Sequence, residues 1–129
     1  IEDGLVVPVI RNTDQKSLQQ INTEVQDKAT RAKDRKLNLD EMQGNTFTIS
    51  NLGMFDIEDF TAIINPPDAC ILAVGSISKK PAVKNDQIVI SSRMKVTLSC
   101  DHRAVDGATG AKFLQSLKGF LENPLSMLL

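Results

Sequence analysis

Residues 94–107 read MKVTLSCDHRAVDG, and in this segment one type of predicted secondary structure gives way to another. Apolar and polar residues alternate up to Cys100, a pattern typical of a strand with one buried face. From residue 106 to residue 122 apolar residues recur at helical spacing instead, and Asn123-Pro124 ends that pattern. The sequence therefore predicts a strand that leads through a short polar loop into an amphipathic helix.

That loop contains the only histidine of the sequence, His102, between Asp101 and Asp106. Histidine ordinarily has a pKa of about 6.5, so it can accept and return a proton near neutral pH. A solitary histidine in an arbitrary domain is more often structural than catalytic. The flanking carboxylates and the position at a strand end nevertheless make His102 a candidate general base.

Further strands are predicted where β-branched or alternating runs lie between turn residues. These runs are residues 5–10, 46–50, 60–64, 69–74 and 88–90. We expect residues 69–74 to be a buried strand, and residues 88–90 and 94–100 to be antiparallel strands. Asn65-Pro66-Pro67-Asp68 predicts a turn, and Ser50 stands where the second predicted strand stops.

One more helix is predicted, between the first two strands. Apolar residues recur at three- and four-residue steps from Leu18 to Ala29, and Thr13 or Asp14 is the expected N-cap. Charges of both signs alternate over residues 31–36, which is typical of a solvated face.

The composition is that of an ordinary globular domain: 129 residues, 41% hydrophobic and 24% charged. Fifteen basic and sixteen acidic residues give a formal net charge of -1, so no overall field attracts nucleic acid or a membrane surface. The apolar runs are much shorter than the roughly 18 residues that a membrane span requires. Neither a nucleic-acid partner nor a membrane is therefore predicted.

The two cysteines, Cys70 and Cys100, lie in apolar strand-like runs and lack the spacing of a zinc site. Reduced, buried cysteines behave as small hydrophobic residues, which favours a reducing compartment. A zinc site at Asp101, His102 and Asp106 would have one nitrogen ligand and would need further carboxylates or water. No metal is therefore predicted.

Four motifs together resemble those of one family. They are residues 44–55, the turn Ile64-Asn65-Pro66-Pro67, the segment Ala73-Val74-Gly75 and the signature at residues 101–107. They resemble the catalytic domain of the dihydrolipoyl acyltransferases, the core components of 2-oxo acid dehydrogenase complexes. The resemblance runs from residue 4 to residue 124, and residues 50–55 are most similar to the acetyl-transferring members of pyruvate complexes. Asp56 departs from the pattern, since the family usually has glycine there.

The resemblance implies a fold like that of chloramphenicol acetyltransferase: a two-layer α/β sandwich, with a mixed sheet and helices on one face, that forms trimers. It implies that His102 is the general base, Asp106 its partner in the signature, and Ser50 the hydroxyl that stabilises the tetrahedral oxyanion. Ser50 and His102 would come from neighbouring subunits. Whether Asp106 orients the imidazole or only holds the loop stays open. Ser50 as a nucleophile is the weaker alternative, because no Gly-x-Ser-x-Gly elbow is present.

The resemblance also implies that residues 1–129 are the C-terminal portion of the catalytic domain, truncated at the N-terminus. The substrates would be coenzyme A or acetyl-CoA and a lipoyl group carried on another domain of the parent chain. Partners would be further copies of the chain, in a trimer and a larger core, and the decarboxylase and dihydrolipoamide dehydrogenase components, reached through missing upstream domains. The location would be a bacterial cytoplasm or a mitochondrial matrix.

The implied chemistry is within reach of one histidine. The ordinary pKa of a thiol, near 8.5, lies about two units above that of an imidazole, so proton transfer from the thiol to the imidazole costs about 3 kcal/mol.

Two alternatives stay open: a catalytically silent scaffold or assembly module of the same core, and an antibiotic acetyltransferase on the same fold. The presence of His102 and Asp106 argues against the first. The segment at residues 50–55 and the Asn65-Pro66-Pro67 turn argue against the second.

Overall fold

The computed structural model describes residues 4–128. The chain divides into two compact units, Ile1–Asn45 and Thr46–Leu129. The class is α/β, as predicted. In the described residues the strands are β1 Thr48–Asn51, β2 Cys70–Val74, β3 Ser78–Lys84, β4 Gln87–Arg93 and β5 Val96–Cys100, and the α-helices are α1 Leu18–Lys33 and α2 Gly107–Glu122.

The helix of the first unit, α1, begins after Ser17. The Ser17 hydroxyl accepts the backbone N–H of Gln20, and the Gln20 side chain accepts the backbone N–H of Ser17 in return. This capping box satisfies amide donors that the first turn of a helix would otherwise leave free. The prediction of Thr13 or Asp14 as the cap is therefore wrong, because both residues lie in a separate 3-10 turn before the helix.

Residues 5–10, the first predicted strand, form no strand in the described chain, so this prediction is wrong. The N–H of Val9 donates to the carbonyl of Glu41 at 2.8 Å, and the buried ammonium of Lys28 donates to the carbonyl of Val9. β-branched residues form a strand only where a second strand supplies a hydrogen-bonded ladder. Pro8, which lacks an N–H, is in addition a poor ladder partner.

The charged segment at residues 31–36 is less uniformly solvated than predicted. Arg31 lies half-buried and makes two hydrogen bonds to Glu41, Nη1 to Oε2 at 2.8 Å and Nη2 to Oε1 at 2.7 Å. This guanidinium lowers the pKa of Glu41 to about 2, with a smaller contribution from the backbone N–H of Asn38. The ion pair links α1 to the end of the first unit.

Three strands of the second unit form a mixed sheet in the order β1-β2-β5. β1 runs parallel to β2, and β5 runs antiparallel to it, so β2 is the central strand. Among the described residues the buried apolar side chains are Ile71, Leu72 and Ala73, all on β2. The mixed sheet and the buried strand predicted at residues 69–74 are confirmed.

The strands β3 and β4 form a separate antiparallel hairpin. Its two-residue turn is Asn85-Asp86, with φ of 51° and 60°. A tight hairpin turn of this kind requires left-handed backbone at both positions, and asparagine and aspartate adopt it at low cost. β3 has no counterpart among the predicted strands. Residues 88–90 lie in an antiparallel strand, as predicted, and so do residues 96–100 of the predicted strand 94–100, whereas Met94 and Lys95 lie outside it. The two strands do not pair with each other: β4 pairs with β3, and β5 pairs with β2.

Residues 52–69 carry the chain from the end of β1 back to the start of β2. They contain no sheet strand, so the extended piece predicted at residues 60–64 lies outside any ladder. The predicted turn is present: the N–H of Asp68 donates to the carbonyl of Asn65 at 3.0 Å, and the Pro66–Pro67 peptide bond is cis. Asp68 is buried and accepts a hydrogen bond from the hydroxyl of Thr48, which ties the end of this segment to the start of β1.

Asp56, which stands where the resembled family usually has glycine, has φ 58° and ψ 21°. This is the left-handed region that glycine enters freely and that aspartate tolerates better than most residues. The aspartate is therefore compatible with a loop shape for which glycine is favoured.

The helix α2 follows β5 and packs against it, and Asn123 ends it as predicted. Its buried residue Gly110 faces the strand: a Cβ at this position would lie 3.5 Å from Sγ of Cys100 and 3.6 Å from Cδ2 of Leu98. The helix therefore approaches the last residues of β5 closely, which determines the surroundings of the loop between them.

Gly75, directly after β2, allows a close approach that no side chain could share. A Cβ there would lie 2.0 Å from the carbonyl oxygen of Glu58 and 2.8 Å from its carbonyl carbon. We expect Gly75→Ala to lower the free energy of unfolding by about 2 kcal/mol or more, because these backbone atoms must move apart. Urea denaturation of the intact protein, followed by circular dichroism, measures the change.

The matched control is Gly119→Ala. A Cβ at Gly119 in α2 meets no atom within 4 Å, and alanine is the better helix former by about 1 kcal/mol. This variant should be as stable as the parent protein or more stable. Equal urea midpoints for Gly75→Ala and the parent would contradict the close approach at Gly75.

Candidate active site

His102 lies in a tight turn directly beyond the end of β5. The N–H of Asp101 donates to the carbonyl of Ala69 at 2.8 Å, which extends the pairing with β2 by one residue. The N–H groups of Ala104 and Val105 both donate to the carbonyl of Asp101 at 2.9 Å. These bonds fix the backbone on either side of His102, whose side chain is exposed.

The carboxylate of Asp101 is held by Arg103. Nη2 of Arg103 lies 2.6 Å from Oδ2 of Asp101, and its Nε lies 3.0 Å from Oδ1. These bonds, together with the backbone N–H of Arg103, lower the pKa of Asp101 to about 2. Asp101 is thus ionised near neutral pH, and its oxygens are directed at Arg103 rather than at His102.

The carboxylate of Asp106 caps α2. Its Oδ1 accepts the backbone N–H of Thr109 at 2.6 Å, and this bond is the largest cause of a lowered pKa at Asp106. An acidic cap is favoured because a helix N-terminus presents free N–H groups and partial positive charge. Of the two roles left open for Asp106, this contact corresponds to holding the loop. Across residues 4–128, His102 itself has no hydrogen-bond partner.

His102 and Asp106 share a cavity of about 300 Å³ between the end of β5 and the first turns of α2. Most of its wall is apolar and is formed by Leu98, Cys100, Val105, Gly110, Ala111 and Leu114. An imidazole at the edge of an apolar cavity can exchange a proton with a group held beside that cavity. Apolar walls suit uncharged reactants such as a thiol or a thioester better than charged ones.

Ser50 lies elsewhere on the sheet, at the third position of β1, and is half-buried. It is aligned with Ala73 on β2, which is aligned with Thr97 on β5. Thr97 precedes Cys100 by three residues, about 10 Å along a strand, and His102 lies two residues further in the same direction. One chain therefore brings His102 and Asp106 together, but not Ser50, which does not line the cavity.

The loop after Ser50 is held tightly. The Asn51 side chain accepts the N–H of Gly53 at 2.8 Å, and a Cβ on Gly53 would lie 2.9 Å from the carbonyl oxygen of Gly75. The sequence indicated this segment through the resemblance at residues 50–55. It gave no signal for Cys100 and Gly110 as cavity walls, because only the register of β5 against β2 and the approach of α2 bring them there.

Neither α-helix in the described part of the chain has both the length and the apolar character of a membrane span. Across residues 4–128, no three histidine, cysteine, aspartate or glutamate side chains are grouped as metal ligands would be.

Two known proteins with similar sequences carry closely related descriptions. A protein from Rickettsia bellii, the dihydrolipoyllysine-residue acetyltransferase component of pyruvate dehydrogenase complex, is 56% identical over 129 residues, which cover 100% of this chain and 31% of that protein. The mitochondrial component 3 from Arabidopsis thaliana is 52% identical over 131 residues, covering 99% and 24%. The chain thus spans about a third or less of these relatives' length.

Solved structures agree with the sequences. The Azotobacter vinelandii dihydrolipoamide acetyltransferase, studied for the role of a serine, a histidine and an asparagine in its catalytic mechanism, matches with a TM-score of 0.94 and 42% identity, over 98% of this chain and 52% of that one. A structure described as the cubic core of the pyruvate dehydrogenase multienzyme complex matches equally well, with TM-score 0.94, 42% identity and the same coverage. The predicted acyltransferase fold is thereby confirmed.

The family model for the catalytic domain of the 2-oxoacid dehydrogenases acyltransferases matches residues 1–129. The resemblance carried by residues 44–55 and 101–107 thus extends over the whole sequence. The chain belongs to the 2-oxoacid dehydrogenase acyltransferase family.

Proposed function

We propose that this chain is the C-terminal portion of an acyltransferase catalytic domain that transfers an acetyl group between dihydrolipoamide and coenzyme A. The observation that carries the proposal is His102, held in a turn at the edge of an apolar cavity and followed by the acidic cap of α2. Relatives that are 50% identical or more are described as acetyltransferase components of pyruvate dehydrogenase complex, which supports the acetyl group as the one transferred.

The spacing of Ser50, His102 and Asp106 along the chain supports their assignment as site residues. The serine, histidine and asparagine studied in the Azotobacter vinelandii enzyme are separated by the same intervals along the chain as Ser50, His102 and Asp106 here. We infer that His102 is the general base and that Ser50 stabilises the oxyanion. An amide in the third position of the relative indicates that a negative charge at Asp106 is not essential to the reaction.

The reaction exchanges one thioester for another. His102 removes the proton from the coenzyme A thiol, and the sulfur attacks the carbonyl carbon of the acetyl-dihydrolipoamide thioester. The carbonyl π electrons move to oxygen, which becomes the oxyanion of a tetrahedral intermediate, and the Ser50 hydroxyl donates a hydrogen bond to it. When the intermediate collapses, the bond to the dihydrolipoamide sulfur breaks and the proton passes from His102 to that sulfur. The products are acetyl-CoA and dihydrolipoamide, and the reverse transfer follows the same steps.

We infer that each site is shared between two chains. Within one chain, Ser50 is aligned with Thr97, whereas His102 lies beyond the opposite end of β5. A hydroxyl at that distance cannot reach an oxyanion beside His102, whereas Ser50 of a neighbouring subunit can reach it in a trimer with a head-to-tail interface. The match to a cubic core supports assembly into a larger particle.

The position of Asp106 supports a positioning role rather than a direct contact with the reactants. Asp106 lies four residues after His102, and its bond to Thr109 fixes that end of the loop to the first turn of α2. The bond between Asp101 and Arg103 fixes the other end of the loop. The two anchors limit the conformations of the loop that carries the imidazole. Such restriction keeps the base near its reactive position.

Coenzyme A and a lipoyl group carried on another domain would be the substrates, and the decarboxylase and dihydrolipoamide dehydrogenase would be the further partners. Relatives include bacterial and mitochondrial proteins, so we propose a bacterial cytoplasm or a mitochondrial matrix as the location.

Replacing His102 should remove the base without changing the assembly. We expect His102→Ala in the intact protein to lower kcat for acetyl transfer from acetyl-CoA to dihydrolipoamide by about 10²- to 10⁴-fold. Ser50→Ala should lower it by about 10²- to 10³-fold, since one oxyanion donor is lost. Light scattering on each variant checks that the particle persists. An assembled His102→Ala protein with the kcat of the parent would refute the general base and favour a scaffold function.

Mixing the two inactive variants tests the shared site. In trimers assembled at random from equal amounts of His102→Ala and Ser50→Ala chains, about one quarter of the interfaces combine an intact Ser50 with an intact His102. We therefore expect co-expression to restore about a quarter of the parent activity. The control is a mixture of the separately purified, already assembled variants, which should show no recovery. An inactive co-assembled particle would contradict a site shared between chains.

Two variants of Asp106 separate positioning from charge. Asp106→Asn keeps an oxygen that can cap α2, so we expect kcat within a few-fold of the parent value. Asp106→Ala removes the cap, at a cost of about 1 kcal/mol in stability, and should lower kcat while changing KM little. Steady-state kinetics with both substrates measure the two constants. Loss of activity in Asp106→Asn equal to that in His102→Ala would mean that the charge acts directly on the imidazole.

A further inference from the structure

Cys70 and Cys100 lie directly opposite each other on the neighbouring strands β2 and β5. They are aligned in the antiparallel register of β2 and β5, and the Cys70 thiol donates to the Cys100 sulfur at an S–S separation of 3.5 Å. Both are free thiols, and both are half-buried. The bond from the N–H of Asp101 to the carbonyl of Ala69 makes the next pair along the strands a hydrogen-bonded one.

Hydrogen-bonded and non-hydrogen-bonded pairs alternate in an antiparallel ladder, so Cys70 and Cys100 form a non-hydrogen-bonded pair. In such pairs the Cα atoms are about 4.5 Å apart and the side chains are at their closest. Disulfides occur at Cα separations of about 4.4–6.8 Å, with the sulfur atoms about 2.05 Å apart. The register therefore places the two cysteines within the range that a disulfide spans, with their sulfur atoms already 3.5 Å apart.

The pair adjoins the cavity of the proposed active site. Cys100 forms part of the cavity wall and precedes His102 by two residues, whereas Cys70 does not line the cavity. A bond between the sulfur atoms would draw Cys100 towards β2 and change the wall beside the imidazole. Across residues 4–128 no group of three possible metal ligands includes these thiols.

We propose that Cys70 and Cys100 are a modification site, a reversible dithiol–disulfide pair that small-molecule disulfides oxidise and thereby alter the cavity beside His102. In a reducing compartment such pairs are ordinarily reduced, and those that become oxidised serve redox sensing or catalysis.

The exchange occurs in two steps. The thiolate of one cysteine attacks a sulfur of the small disulfide, its S–S bond breaks, and one thiol leaves as a mixed disulfide forms. The thiolate of the second cysteine then attacks the protein sulfur of that mixed disulfide, and the second thiol leaves. The two cysteines lose two electrons and two protons, and the small disulfide gains them. An excess of small thiol reverses both steps.

Burial is the main cause of a raised pKa at Cys100, so its thiolate fraction near neutral pH is low. Thiolates carry out the exchange, and the oxidation is therefore slow at pH 7 and faster in mild alkali.

The experiment uses the intact protein, incubated at about pH 8 with oxidised glutathione in one arm and with oxidised lipoamide, a cyclic disulfide, in the other. Remaining thiols are alkylated under denaturing conditions, and the digest is analysed by mass spectrometry without reduction. We expect one peptide pair joined through Cys70 and Cys100, which disappears after dithiothreitol. The arm that forms it faster identifies the better oxidant. Cys70 and Cys100 both recovered as alkylated thiols or as separate mixed disulfides, in both arms, would overturn the proposal.

The variant Cys70→Ala is the matched control for the effect on the cavity. It cannot form the bond, and Cys70 lies outside the cavity wall. Acetyl transfer by the linked parent protein should fall several-fold and recover with dithiothreitol, whereas the variant should not respond. Unchanged transfer by fully linked protein would overturn the effect on the cavity. Because the bond is detected by mass, the result distinguishes failure of the dithiol pair from failure of the acetyltransferase function.

Discussion

The central position of β2 is the constraint on which the second unit depends. Its residues Ile71, Leu72 and Ala73 are the buried apolar side chains of the described chain, and both other strands of the sheet are registered against it. That register aligns Ser50 with one end of the sheet and leaves His102 beyond the other. The arrangement of the proposed catalytic groups is therefore a consequence of strand pairing rather than of local sequence.

Polar contacts that do not involve the imidazole fix the shape of the loop that carries His102. Arg103 binds the carboxylate of Asp101, and the backbone N–H of Thr109 in the first turn of α2 binds the carboxylate of Asp106. Neither carboxylate therefore bonds to the histidine between them. These bonds lower the pKa values of both carboxyl groups. The sequence places two acids beside a base, but the structure uses them to fix the turn, and the cavity wall beside the base is supplied by β5 and α2.

Patterns that depend on neighbouring residues were readable from the sequence, and patterns that depend on distant partners were not. The alternation before Cys100 and the helical spacing after residue 106 predicted β5 and α2. Residues 5–10 have the composition of a strand but meet no pairing strand in the described chain. β3 was not predicted because Lys79, Lys80 and Pro81 interrupt its apolar pattern, although Asn85-Asp86 is a dipeptide typical of a hairpin turn. His102, Asp106 and Ser50 could be named as candidates, whereas Cys100 and Gly110 required the register and the helix approach.

The long return path between β1 and β2 has a consequence for how the chain folds. Apart from one short 3-10 turn at Gly53–Phe55, residues 52–69 contain no helix or sheet strand to organise the crossover. The parallel pairing of β1 with β2 can nevertheless form only after this segment has closed. Closure of a loop of that length costs entropy before any strand contact compensates for it, whereas the β3–β4 hairpin closes through two residues. Local hairpin formation should therefore precede assembly of the sheet, and the sequence separation of its strands should set the folding rate of the second unit.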